Sequence, residues 1–143
     1  MKEISWIFKA FCDENVEDIT LENMGLTGNN AVELIKEVCN EKTLILNLGC
    51  NNLGNSGARW VIQLLKDRNV HTLSLNNTGI DDNGVIDCAK SLCNTNVKNI
   101  NLDLNLIIEW GPRSKMKCNP VECLLKKHTQ NGVADERIQT TVL

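Results

Sequence analysis

Seven cysteines and two histidines are the side chains of this 143-residue chain whose chemistry could extend to metal binding or nucleophilic attack. The densest grouping, Cys118-x4-Cys123-x4-His128, offers three ligands. A closed zinc site needs a fourth, and none stands beside it, so no metal is expected. Cys12, Cys39 and Cys93 share one phase of an internal repeat, with Lys66 in the remaining slot. Periodic placement of this kind suits a small buried apolar residue better than a nucleophile. Cys50 is the thiol best placed to react, and it reads as inert because nothing in the sequence activates it. His71 stands alone at a position expected to face solvent. The chain contains neither a glycine-rich phosphate loop nor a G-x-S-x-G elbow. These residues do not describe an enzyme, and they imply no cofactor.

The elements that must position these side chains follow from that repeat, the first feature to seek in any chain. Leu21, Leu48, Leu75 and Leu102 recur with one constant period and no insertion. Ile19, Leu46, Leu73 and Ile100 precede them by two, and Val16, Thr43, Val70 and Val97 by five. Leu26, Leu53, Ile80 and Ile107 follow them by five. The alternation at Leu46-x-Leu48 is that of a strand, with two side chains inward and the intervening one outward. Past the turn the apolar spacing becomes helical: Leu34, Ile35 and Val38, then Val61, Ile62 and Leu65, then Cys88, Ala89 and Leu92. One strand and one helix cannot bury their apolar faces alone. Stacked units can, with a parallel sheet on one side, helices on the other and an aliphatic core between.

The segments TLILNLGCNNLGNSG (Thr43 to Gly57) and VHTLSLNNTGIDDNG (Val70 to Gly84) resemble the leucine-rich repeat pattern L-x-x-L-x-L-x-x-N-x-L. The period, with a helix in every unit, resembles the intracellular ribonuclease-inhibitor-like class. The resemblance implies an α/β horseshoe of about four repeats, with the sheet concave and the helices convex. It also implies an asparagine ladder at the position held by Met24, Asn51, Thr78 and Asn105. Methionine cannot form such a rung and threonine only part of one, so an incomplete ladder is expected.

The same phase sets the domain organisation: one leucine-rich repeat domain over 1–130 and a flexible tail over 131–143. Within the domain, residues 1–15 are a capping helix, since Ile7, Phe8 and Phe11 lie one period before Leu34, Ile35 and Val38. Repeats occupy 16–111. Residues 112–130 are a degenerate repeat and a second capping helix, opened by Asn119-Pro120, a favoured cap and first-turn pair. Val121, Leu124, Leu125 and His128 supply its apolar stripe.

Three surfaces are candidates for binding. The outward strand positions are small, polar and weakly acidic, and Thr20, Glu22, Asn47, Ser74, Asn76, Asn101 and Asp103 form the candidate concave docking face. On the convex side, Trp60 and Leu64 occupy phases filled elsewhere by Glu33, Asp87, Glu37 and Ser91. They are expected to form an exposed apolar pair of the kind enriched in interface hot spots. The last three residues, Thr141, Val142 and Leu143, resemble the Ser/Thr-x-hydrophobic terminus that PDZ domains take up as an added strand.

Composition narrows the rest. Apolar residues are 42%, charged ones 23% and aromatic ones 3%, and the formal net charge is −3. That balance is globular and excludes a general nucleic-acid binder. Residues 1–30 hold two Lys against six acids, and residues 110–130 hold five Lys or Arg against one. Such opposed ends suit a monomer or weak head-to-tail self-association. No apolar run is long enough to insert in a membrane, no leader is visible, and seven cysteines suit a reducing compartment, so a cytoplasmic location is expected. The leading expectation is a non-catalytic adaptor or scaffold that binds a protein on the concave sheet. The alternatives are a regulator of a small GTPase or other enzyme, and a cytoskeletal or ciliary structural subunit.

Overall fold

The computed structural model of the chain describes residues 16–107 and 139–141. The elements run β1 (Asp18–Thr20), α1 (Gly28–Val38), β2 (Ile45–Asn47), α2 (Gly54–Leu64), a 3₁₀ turn (Leu65–Asp67), β3 (Thr72–Ser74), α3 (Asp82–Leu92), β4 (Asn99–Asn101) and β5 (Gln139–Thr141). The five strands form one parallel sheet in chain order. Asp18 pairs with Ile45, Ile45 with Thr72, and Thr72 with Asn99, so the period of the sequence is the register of the sheet.

Each strand is short because only its central residue and the leucine two places on turn inward. Ile19, Leu46, Leu73 and Ile100 form one buried column, and Leu21, Leu48, Leu75 and Leu102 form the next. From the helices, Ala31, Leu34, Ile35 and Val38 meet this double column, as do Ala58, Val61, Ile62 and Leu65, and then Val85, Cys88, Ala89 and Leu92. The alternating parallel strands and helices therefore enclose an aliphatic core, as expected.

The turns between strand and helix are stacked by a repeated left-handed residue. Asn23, Cys50, Asn77 and Leu104, each one period from the next, all have φ between 51° and 58°. A second left-handed position falls on Gly25 and Gly79, but in the second unit it moves two places past its phase, to Gly54 at φ +68°. Helix α2 consequently starts after Leu53, whereas α1 and α3 start after Thr27 and Asp81. Helices α1 and α2 are also drawn together: a Cβ on Gly28 would stand 2.8 Å from the Gly57 Cα. Glycine at both places lets the backbones touch.

The far end of the sheet departs from the sequence expectation. A flexible tail over 131–143 is corrected at Gln139–Thr141, which forms β5 and pairs in parallel with β4. Gln139 pairs with Asn99, a far longer step along the chain than the single period that separates the other paired strands. Polar Gln-Thr-Thr has no apolar alternation to announce a strand. It pairs because the edge of β4 offers unmatched backbone donors and acceptors. The expected capping helices over 1–15 and 112–130 lie outside the described residues, as do Val142 and Leu143.

Candidate functional site

The sheet face expected to be concave is built by the outward residues of the strands. Asp18, Ile45, Thr72 and Asn99 form one row, and Thr20, Asn47, Ser74 and Asn101 the next, both in paired register. One step further along the chain direction come Glu22, Gly49, Asn76 and Asp103. The structure brings together all seven residues expected there. Thr20 and Glu22 are exposed, and Asn47, Ser74, Asn76, Asn101 and Asp103 are half-buried.

Their polar atoms are held in a repeated local geometry. Asn47 Oδ1 accepts from the Gly49 N–H at 2.9 Å, and Asn101 Oδ1 accepts from the Asp103 N–H at the same distance. Each amide is therefore anchored through its oxygen and keeps its NH2 group as a donor. In the unit between them, the Ser74 hydroxyl donates to Asn76 Oδ1 at 2.6 Å. Asn76 leans over Gly49, where a Cβ would overlap its amide, so glycine at 49 is what admits it. Cys50 sits at the rim of this face. Its Sγ lies 3.8 Å from Glu22 Oε1 and receives the amides of Asn76 and Asn77 at 4.0 and 3.7 Å. Asp103 differs from its neighbours: its Oδ1 is buried and accepts no hydrogen bond.

Beneath the rim, asparagine rungs tie the units together. Asn51 Oδ1 accepts from the Met24 and Leu26 N–H groups at 3.1 and 2.9 Å, and its Nδ2 donates to the Leu21, Leu48 and Gly49 carbonyls. Asn105 repeats the pattern further along, with Thr78, Ile80, Leu75, Leu102 and Asp103. Between them the Thr78 hydroxyl donates to Leu75 O at 2.7 Å, within its own unit, and meets the second unit through no side-chain bond. The ladder is incomplete as expected. A reciprocal pair stands nearby instead: Asn55 Nδ2 donates to Asp81 Oδ1 at 2.8 Å, and the Asp81 N–H donates to Asn55 Oδ1 at 3.0 Å. Asp81 Oδ1 also accepts from the Asn83 and Gly84 N–H groups, capping α3. The Asn55 amide and the Gly84 N–H hold the Asp81 carboxyl below the usual aspartate range.

The convex pair is only half as expected. Trp60 is exposed at 39%, and its Cε3 would lie 3.4 Å from a Cβ on Gly28, so the ring spreads over the close approach of α1 and α2. Leu64 is half-buried and packs on the core. Leu64 is the last residue of α2, with helical backbone angles, and Ser91 in the same phase on α3 is half-buried as well. Sequence reasoning missed a second apolar pair. Leu104 and Leu106 are 69% and 64% exposed, and Leu104 holds the left-handed conformation that Asn23 and Asn77 adopt more readily. The repeat phase was the available signal.

The remaining chemistry is subdued. Burial, helped by the Asp87 carboxylate, pushes the Cys88 thiol up to about 12. Cys39 is buried, and Cys93 donates to Ala89 O. His71 is half-buried rather than exposed, with Nδ1 at 2.9 Å from the Thr72 hydroxyl. Among the described residues, no group of three or more His, Cys, Asp or Glu is placed to hold a metal ion, and no helix is long and apolar enough to cross a membrane. The Cys118, Cys123 and His128 grouping lies outside them. Of the terminal trio, Thr141 is engaged in β5.

Strand, turn and helix repeated in register around one core define a leucine-rich-repeat-like solenoid. No family model matches the sequence, and no curated protein matches it. Solved structures share the fold. Leiomodin-1 actin-binding site 2 superposes with a TM-score of 0.67 at 14% identity, over 99% of this chain and 78% of that one. The tropomodulin C-terminal domain of Caenorhabditis elegans superposes with a TM-score of 0.61 at 16% identity, over 87% of this chain and 73% of that one.

Proposed function

We propose that this chain is a non-catalytic protein-interaction module of the actin cytoskeleton. The observation that supports the reading most is the superposition on leiomodin-1 actin-binding site 2 along 99% of this chain. This favours the cytoskeletal alternative over a generic adaptor, and over a regulator of a GTPase, for which no residue speaks. Co-sedimentation with actin filaments is the test. The chain should enter the pellet saturably as filament concentration rises. A chain that stays in the supernatant across the whole range sinks the reading.

A concave docking face is the second reading, favoured by the in-register polar rows and the anchored amides of Asn47 and Asn101. It accords with the ribonuclease-inhibitor-like resemblance of the repeat period. The PDZ reading of Thr141, Val142 and Leu143 is weakened by β5, since Thr141 already pairs with Asn101. The reading places the protein in the cytoplasm, where actin is.

A further inference from the structure

The outward rows of the concave sheet hold three acids and no lysine or arginine. Asp18 and Glu22 lie at the two ends of the first unit's outward column, and Asp103 lies in the row of Glu22 three strands away. With strands ~4.8 Å apart and ~3.3 Å per residue, these carboxylates mark three corners of a rectangle roughly 13 by 14 Å. Lys98 immediately precedes β4 and falls outside the rows.

A carboxylate oxygen shielded from water with no donor is an unfavourable arrangement unless something completes it. Asp103 Oδ1 is in that state, on a residue that is only half-buried. Rotation about the Cβ–Cγ bond is soft, so a cation arriving on the open side can pair with either oxygen. Between the corners, Asn47 and Asn101 keep NH2 groups for carbonyl acceptors, because their oxygens are tied to the backbone. The face therefore offers anions beside β1 and β4 and neutral donors between them. That set is complementary to an extended, basic peptide, whose cations would reach the carboxylates and whose carbonyls would meet the amides.

We infer that the concave sheet docks an extended basic segment of a partner protein, with arginine or lysine side chains about four positions apart on Glu22 and Asp103. This deepens the concave-face reading and is independent of filament binding.

A fluorescent, end-blocked Gly/Ser peptide with two arginines separated by three intervening positions, followed by anisotropy with the full chain, tests it. Binding should weaken as salt rises, fall roughly tenfold or more in Glu22→Gln/Asp103→Asn, and hold in Glu33→Gln on the convex side. Absence of binding, equal loss in the convex variant, or indifference to the concave one each overturns the inference. Asn47→Arg/Asn101→Arg separates the face from its chemistry in a crosslinked pull-down. A protein partner lost from that variant, with no binding of the diarginine peptide, would keep the docking face and discard the basic segment.

Discussion

Two junctions in the stack are built differently. Between the first and second units, and again between the third and fourth, an asparagine, buried at 51 and half-buried at 105, reaches across and satisfies backbone groups on both sides. Between the second and third units, Thr78 replaces the asparagine, and its hydroxyl donates to Leu75 O within its own unit and makes no bond to the second. There the stack is held by the Gly54 N–H donating to Thr78 O at 2.9 Å and by the reciprocal Asn55–Asp81 pair. Asn55 follows the displaced glycine at 54 directly and meets Asp81 one place short of the repeat period. A solenoid can thus lose one rung and recover the link elsewhere, because each unit needs only some polar tie to its neighbour above a continuous apolar core.

The largest effect should ignore this difference. Leu48→Ala and Leu75→Ala each remove a fully buried side chain, one on either side of the middle junction. Both should cost roughly 2–5 kcal/mol by cavity formation, measured by urea unfolding. A much smaller cost at Leu75 would mean that the core itself is looser past the altered junction. The next effect should expose the difference directly. Asn51→Ala strands several buried backbone groups and should cost about 3 kcal/mol, whereas Thr78→Ala loses one local bond and should cost about 1 kcal/mol. Equal losses would dismiss the ladder as the distinction between the junctions.

The smallest effect is a dependence on pH. The Asp81 carboxyl is held below its ordinary value, first by Asn55 and then by the Gly84 N–H. Its contribution is therefore full above the ordinary aspartate range and is lost as pH falls through the lowered value. Asn55→Ala should weaken the protein at neutral pH by less than Asn51→Ala does, and the gap from wild type should narrow on acidification. A gap that stays constant down to acid pH would show that the carboxylate plays no part in the clamp.

Much of the concave face was legible because strand side chains alternate, so a period found in the inward leucines also assigns the outward residues. Thr20, Asn47, Ser74 and Asn101 lie in one paired row for that reason. The incomplete ladder was legible in the same way, from threonine at 78. Leu64 was misjudged because a polar residue in the same phase does not guarantee exposure: Glu37 is exposed but Ser91 is half-buried. The exposed Leu104 and Leu106 were hidden by their residue type, since apolar residues near a repeat turn read as core.

The sequence alone determined the repeat, the parallel register and the inward columns. Those depend on the period of side chains along the chain, which local geometry converts directly into strand and helix faces. Only the tertiary structure decided which segment closes the sheet and which polar atoms span the middle junction. Gln139 reaches Asn99 across more than one period of chain, and Asn55 meets Asp81 out of phase. Both depend on lateral reach between units, where a backbone edge or an amide takes whichever partner the stack brings within hydrogen-bond distance.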